Sequence, residues 1–205
     1  QCTSLREISI PSSLDSIQGW TFKDCLSLRK VSITDIAKWC QISFGAADAN
    51  PLYFADNLYL NGQLVTELRI PAEAGTVGTY AFYHYSKLAS LVIGDGVQAI
   101  GDYAFTSCVN LESADIAASV SAIGISAFHT CSALRDVTLR EGLERIYTNA
   151  FSQCASLKEI SIPDGVTCIS ANAFYESGLT AVTIPGTVQE IGTSAFSLCT
   201  DLYTV

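Results

Sequence analysis

Cysteine is the residue type in this chain whose number and spacing could do the most chemistry. Eight cysteines could form disulfides, bind a metal or remain packed thiols. Side chains at one position of a stacked repeat lie parallel, whereas a disulfide needs crossed geometry. We therefore expect a ladder of buried free thiols, with Cys40 and Cys168 outside it as the candidates for oxidation. The ladder positions, each three residues before a leucine, are Cys2, Cys25, Cys108, Cys131, Cys154 and Cys199.

The other reactive residue types form no recognisable constellation. His84 and His129 have no further histidine at metal-ligand spacing, and the chain contains no Gly-x-Ser-x-Gly motif, phosphate loop or calcium-binding repeat loop. Asp115 and Asp136 could approach each other across neighbouring layers, but stacked carboxylates of this kind are more often solvated neighbours than a glycosidase pair. The sequence predicts no catalytic residue, no metal site and no cofactor.

Composition limits the classes of partner. The chain has 205 residues, is 49% hydrophobic and carries a formal charge of −9, with only 11 scattered basic residues. This balance argues against binding to nucleic acid or to an anionic membrane surface. No apolar run approaches the roughly 18 residues of a membrane span. No signal peptide is recognisable, and both ends fall within a repeat, so we expect a piece of a longer array.

A recurring Ala-Phe pair indicates how the chain is built. Self-similarity at a fixed period is the sequence signature of stacked repeat units, which form a solenoid. The pairs that recur at intervals of 23 residues are Ala104-Phe105, Ala127-Phe128, Ala150-Phe151 and Ala173-Phe174.

Each repeat contains two extended segments and a turn. An alternation such as Leu88-x-x-Leu91-x-Ile93 predicts a strand with one buried face, and about nine such strands between Leu5 and Val205 would stack in one parallel sheet. A second apolar pair, as in Val97 and Ile100, predicts a shorter strand on the opposite side. Residues such as Asp102 occupy the N-cap position before Ala-Phe, which predicts a single turn of helix per repeat. The fold class is therefore an α/β repeat solenoid.

One repeat is longer than the others. The strand-ending residues Ile33 and Ile70 are 37 residues apart instead of 23. Within this repeat, Asn61-Gly62 between apolar alternations predicts a β-hairpin whose return strand runs on to Ile70. Apolar positions from Ile36 to Phe44 predict a short amphipathic element. We expect residues 1–205 to form one domain, with residues 34–70 as an enlarged repeat carrying a hairpin insertion.

Outward strand positions are the first candidate binding surface. If Leu91 and Ile93 point inward, the residues between them point to solvent, and equivalent positions form a flat, mildly acidic surface. Solenoids bind partners on extended sheets of this kind, although a merely solvated face is the alternative. The candidate ligand-binding residues are Glu67, Arg69, Ser90, Val92, Ser113, Asp115, Asp136 and Thr138.

Aromatic residues concentrate in the enlarged repeat, at Trp39, Phe44, Tyr53, Phe54 and Tyr59. They could form a small core for the insertion or a contact patch, because insertions in repeat proteins often map to a binding face. The alternative candidate ligand-binding residues are therefore Trp39, Tyr53 and Tyr59.

The complete repeat is similar to that of BspA-like leucine-rich repeat proteins. It is written Pro-x-x-Val-x-x-Ile-Gly-x-x-Ala-Phe-x-x-Cys-x-x-Leu-x-x-Val-x-Ile, and the segments Val166 to Ile184 and Val188 to Val205 follow it almost throughout. Residues 39–62 resemble an insertion common in members from gut bacteria. The resemblance implies a right-handed leucine-rich-repeat superhelix with a parallel sheet on its concave face. It also implies a secreted or cell-surface protein, and it brings no catalytic residues.

We therefore expect a non-enzymatic cell-surface module for protein interaction or adhesion. The resemblance implies a protein partner, either a host matrix protein or another cell surface, and a glycan is the other ligand considered. Two alternatives remain: a structural spacer in a larger surface protein, and a glycan-binding accessory region of an enzyme.

Overall fold

Short strands make up most of the regular structure. The computed structural model describes residues 2–204. Besides the strands it contains one α-helix, α1 (Ile36–Gln41), and 3-10 turns at Ala47–Ala49, Pro51–Tyr53 and Ala72–Ala74. In chain order the strands are β1 (Glu7–Ser9), β2 (Ser16–Ile17), β3 (Lys30–Ile33), β4 (Ser43–Phe44), β5 (Asn57–Leu60), β6 (Gln63–Leu64), β7 (Glu67–Ile70), β8 (Thr76–Val77), β9 (Ser90–Ile93), β10 (Ala99–Ile100), β11 (Ser113–Ile116), β12 (Ala122–Ile123), β13 (Asp136–Thr138), β14 (Arg145–Ile146), β15 (Glu159–Ser161), β16 (Cys168–Ile169), β17 (Ala181–Thr183) and β18 (Glu190–Ile191).

The longer strands pair in parallel with their equivalents in the next repeat, as the alternation predicts. In β9, Leu91 and Ile93 are buried while Ser90 and Val92 are partly exposed. The predicted single sheet is nevertheless divided into the orders β1-β3-β5-β6, β7-β9-β11-β13 and β15-β17. The first division falls at the hairpin, because β6 returns antiparallel along β5. A bridge from Ala181 to Thr204 extends the last group, and Val205 lies outside the described residues.

The shorter strands form the predicted second row. Strands β8, β10, β12, β14, β16 and β18 make a parallel sheet, and most of them contribute a buried apolar residue such as Ile100 or Ile123. In the enlarged repeat the helix α1 interrupts this row. The N–H of Gly78 donates to the carbonyl of Cys40 in α1 at 2.9 Å, which ties the row to the helix.

The Ala-Phe segment is a run of tight turns, so the predicted turn of helix is wrong. The N–H of Tyr83 donates to Tyr80 O, three residues earlier, at 3.1 Å. The N–H of Phe82 instead donates to Ala104 O of the next repeat at 2.8 Å, and this alternation recurs along the segment. Tyr80 and His84 have positive φ values of 61° and 64°, which do not occur within a right-handed α-helix. An α-helix would keep all these donors within one segment.

Phenylalanine rings form a ladder through the core. Rings of successive repeats lie nearly parallel, with interplanar angles of 3° to 7° and centroids 5.2 to 5.5 Å apart. This spacing is the advance of the solenoid per repeat in the core. The fully buried members are Phe82, Phe105, Phe128, Phe151 and Phe174.

The thiols form the predicted ladder beside these rings. Cys108, Cys131 and Cys154 are fully buried, and each Sγ donates to a phenylalanine carbonyl at 3.2 to 3.3 Å. Burial raises the pKa of these thiols, which keeps them protonated and able to donate. All eight cysteines, which lie within residues 2–204, are free. The prediction that Cys2 is a buried member of the ladder is wrong, because Cys2 is exposed. Where the enlarged repeat meets its neighbour, Tyr85 takes the cysteine position.

The enlarged repeat buries its own helix. Asp35 caps α1 by accepting a hydrogen bond from the N–H of Lys38 at 3.0 Å, and the helix buries Ile36, Ala37, Trp39 and Cys40. The hairpin turns at Asn61 and Gly62, which both have positive φ (50° and 83°), as a tight hairpin of this sequence requires. The short amphipathic element and the hairpin are confirmed.

Candidate functional site

The eight outward residues predicted from the alternation lie together on the sheet β7-β9-β11-β13, and we call them the long-strand face. Strand register aligns them across the sheet in two rows, because residues two apart on a strand share a side. The first row contains Glu67, Ser90, Ser113 and Asp136, and the second contains Arg69, Val92, Asp115 and Thr138.

Arginines accompany two acidic residues of this face. Arg140 pairs with Asp115 and also donates to the carbonyl of Ile116 at 2.8 Å, and the hydrogen bond with Asp115 raises the pKa of the guanidinium. Arg135 lies 3.3 Å from Asp136. Both pairs are exposed, and exposed pairs contribute at most about 1 kcal/mol. The carboxylates are therefore free to exchange these partners for groups on another molecule.

Asp115 and Asp136 are diagonal rather than directly opposite neighbours on the sheet. The register places Asp115 beside Thr138 and Asp136 beside Ser113. Each carboxylate lies beside an arginine on the exposed surface, as expected for solvated neighbours rather than for a glycosidase pair. At the other end of the face, Glu67 and Arg69 are exposed and form no ion pair with any described residue.

The arginine partners of Asp115 and Asp136 were missed from the sequence, but other ion pairs between repeats have a sequence signal. Arg135 bonds to Glu112 at 2.7 Å, and these residues are 23 positions apart. Lys30 and Glu7 have the same separation and lie 3.0 Å apart on neighbouring strands. Opposite charges separated by one repeat become cross-strand neighbours in a solenoid, so this separation predicts such pairs.

The aromatic residues of the insertion do not form one patch. Trp39 is 1% exposed and its Nε1 donates to Ala81 O at 2.9 Å, so its predicted contact role is wrong: it belongs to the core. Tyr53 is 42% exposed and stacks on Tyr83 with ring centroids 6.0 Å apart. Tyr59 lies on β5, where Lys30 Nζ is 5.2 Å from its ring centroid.

The histidines are separate from one another and from the long-strand face. His84 is exposed in the turn beside Tyr83, whereas His129 is half-buried two repeats further on. Among residues 2–204 no group of three His, Cys, Asp or Glu side chains is arranged to hold a metal ion. Nor does this part of the chain contain a helix with the length and apolar character needed to cross a bilayer.

Solved bacterial structures share this fold. The chain matches a leucine-rich cell surface protein from Faecalibacterium prausnitzii with 23% identity and a TM-score of 0.58, covering 99% of this chain and 80% of that one. It matches a leucine-rich repeat protein from Bacteroides ovatus with 24% identity and a TM-score of 0.69, covering 98% of this chain but only 54% of that one. At this identity the likeness concerns the fold.

A leucine-rich repeat protein from T. pallidum matches with 27% identity and a TM-score of 0.60, covering 71% of this chain and 64% of that one. A comparison with curated protein sequences finds no significant match. The model of the BspA type leucine-rich repeat region matches in 6 copies, over residues 1–48, 53–174 and 134–205. The chain is thus a leucine-rich-repeat solenoid, and it belongs to the BspA-type leucine-rich repeat family.

Proposed function

We propose that this chain is a non-enzymatic module for protein interaction or adhesion at the cell surface, and that it contacts its partner through the long-strand face. The observation that carries the proposal is the alignment of eight solvent-facing side chains in two rows on four hydrogen-bonded strands. Such a face is extended and held rigidly by its strands, which limits the ordering cost of binding.

The charges of the face also suit a protein partner. It offers an unpaired Glu67 and Arg69 at one end and the exchangeable pairs of Asp115 and Asp136 at the other. Charged groups arranged in this way speed diffusional encounter and select among partners. The description of the Faecalibacterium protein as a cell surface protein supports an extracellular location and, with it, a host matrix protein or another cell surface as partner.

Surface plasmon resonance on a panel of immobilised extracellular-matrix proteins tests the proposal. The wild-type chain should bind at least one of them. The combined variant Arg69→Ala, Asp115→Asn and Asp136→Asn should weaken that binding at least tenfold, which corresponds to about 1.4 kcal/mol. The association rate should also fall as salt is raised, since screening shortens the reach of the charges.

A variant of matched charge separates this face from net-charge effects. Arg145→Ala, Asp15→Asn and Asp164→Asn change the same residue types at exposed positions outside the long-strand face. This control should bind like wild type. If both variants lose binding equally, the long-strand face is not the contact surface. If the wild-type chain binds neither a matrix protein nor intact bacterial or host cells in the same format, adhesion is refuted and the spacer alternative is favoured.

A further inference from the structure

The tight turns carry polar chemistry that the long-strand face does not use. Because turns of neighbouring repeats are joined by hydrogen bonds, side chains at one turn position follow each other along the axis, as the phenylalanines do at 5.2 to 5.5 Å. Two adjoining regions result. The tyrosine patch comprises Tyr53, Tyr80, Tyr83 and Tyr103, and the polar pocket comprises His129, Asn149, Ser152, Gln153, Asn172 and Tyr175.

The tyrosine patch joins the insertion to two repeats. Tyr80 stacks on Tyr103 at 5.1 Å and 15°, and Tyr53 stacks on Tyr83 at 6.0 Å and 12°. Since the rings cover one another's faces, their edges and hydroxyls are what a ligand would meet. Tyr80 and Tyr103 have φ values of 61° and 57°, which a bulky residue rarely adopts. Glycine or asparagine would adopt these φ values more readily, so the conformation of the backbone does not explain why tyrosine occupies these two positions.

The polar pocket is an open depression of about 410 Å³. The side-chain amides of Asn149 and Asn172 make no hydrogen bond within the described part of the chain. Nδ1 of His129 is buried and likewise has no partner there, and burial lowers the pKa of this histidine. Gln153 already accepts from Thr130 at 3.2 Å and donates to Glu176 at 2.9 Å, which fixes its amide. The pocket thus combines fixed and unused hydrogen-bonding groups.

Neither region carries a positive charge, although the whole chain has a charge of −9 and 11 basic residues elsewhere. An anionic ligand would find no cation there to pair with. Nor does the lining of the polar pocket contain the acidic and basic side chains through which the long-strand face is proposed to recognise a protein. The accessible hydroxyls and amides of the two regions fit a ligand that is uncharged and rich in hydroxyl groups.

We propose that the turn face, meaning the tyrosine patch and the polar pocket together, binds an extended neutral polysaccharide that lies along the solenoid axis. The two regions cover consecutive repeats, from Tyr80 to Tyr175. The advance per repeat is close to the length of one pyranose unit in an extended chain, so each repeat meets one sugar. Tyr53 is the one member that the sequence analysis named as a candidate ligand-binding residue, and the site is separate from the long-strand face.

Affinity electrophoresis tests this with xyloglucan, mixed-linkage β-glucan, galactomannan and starch in the gel, and with anionic polygalacturonate as a charge control. At least one neutral polysaccharide should retard the chain, and polygalacturonate should not. The combined variant Asn149→Gly, Asn172→Gly and Tyr175→Phe should weaken retardation at least tenfold. Glycine suits the positive φ of Asn149 and Asn172, and phenylalanine keeps the ring, so folding is preserved.

Further variants localise the effect. Tyr83→Phe with Tyr103→Phe removes two hydroxyls from the tyrosine patch and should also weaken retardation. Ser90→Ala with Thr138→Ala removes two hydroxyls from the long-strand face and should leave it unchanged. The proposal is overturned if no neutral polysaccharide retards the wild-type chain, or if the pocket variant, with an unchanged melting temperature, is retarded like wild type. Loss of matrix-protein binding in the pocket variant, with no polysaccharide binding, would assign this face to a protein.

Discussion

Replacing Phe128 by alanine should be among the most destabilising single changes in this chain. Phe128 is fully buried between Phe105 and Phe151, with ring centroids 5.3 Å away on each side. Truncating a buried phenylalanine typically costs about 3 to 5 kcal/mol. That range already includes the loss of aromatic pairs, each worth about 0.5 to 1.5 kcal/mol, and Phe128 has two such partners. We therefore expect a loss of about 4 kcal/mol in the free energy of unfolding.

Urea unfolding followed by far-ultraviolet circular dichroism measures this loss. In a Trp20→Phe background, which removes the exposed second tryptophan, fluorescence of the buried Trp39 reports separately on the enlarged repeat. This matters because repeats interact mainly with their neighbours. Phe196→Ala is the matched control: Phe196 is half-buried and stacks only on Phe174, so about 2 kcal/mol is expected. A loss below about 1 kcal/mol for Phe128→Ala, or equal losses for the two variants, would refute the ladder as a source of stability.

Two other predictions concern buried polar groups. In denaturant without reductant all eight thiols should react with a thiol reagent, whereas in the native chain the exposed Cys2 alone should react rapidly; four or fewer in denaturant would contradict the free-thiol ladder. Tyr85→Phe should cost about 1 to 3 kcal/mol, because its hydroxyl donates to Val65 O at 2.6 Å and accepts from Leu58 N at 3.3 Å. Burial raises the pKa of Tyr85 to about 12 from an ordinary value near 10, so its contribution should be complete below pH 10 and lost as the pH rises through about 12. Alkaline unfolding of wild type and variant checks this, and identical pH profiles would contradict it.

The 23-residue repeat and the alternation of apolar residues in each strand predicted the solenoid, because every repeat must bury the same side chains against its neighbours. They predicted helix in the turns because Asp102 and its equivalents look like N-caps. Asp102 Oδ1 instead accepts from the N–H of Ile125 in the following repeat at 2.7 Å. An N-cap partner would lie two or three residues ahead in the same segment. The aspartate at position 102 correctly indicated a side chain that accepts a backbone hydrogen bond. The donor, Ile125, is identified only by the packing of neighbouring repeats.

The candidate surfaces were predictable to different degrees. The long-strand face follows from period-two alternation, which fixes the side on which each residue lies. Its arginine partners depend on register between repeats, and Trp39 depends on how α1 packs beneath the neighbouring turn, near Ala81. The polar pocket was missed because its side chains come from different repeats and, apart from the equivalent Asn149 and Asn172, vary in type. Such groups become visible only when equivalent positions of successive repeats are aligned.

Joining each turn to the next repeat has a consequence for both surfaces. A helical turn would satisfy its own donors and leave neighbouring turns free to shift against each other. Here the N–H groups of Phe105 and Phe128 each donate to the following repeat at 2.8 Å, so turns and strands advance together. Spacing on the long-strand face and on the turn face is therefore set by one rise per repeat. Outward side chains can change without altering that spacing, so the backbone fixes where a ligand may be held and the variable residues determine which ligand is bound.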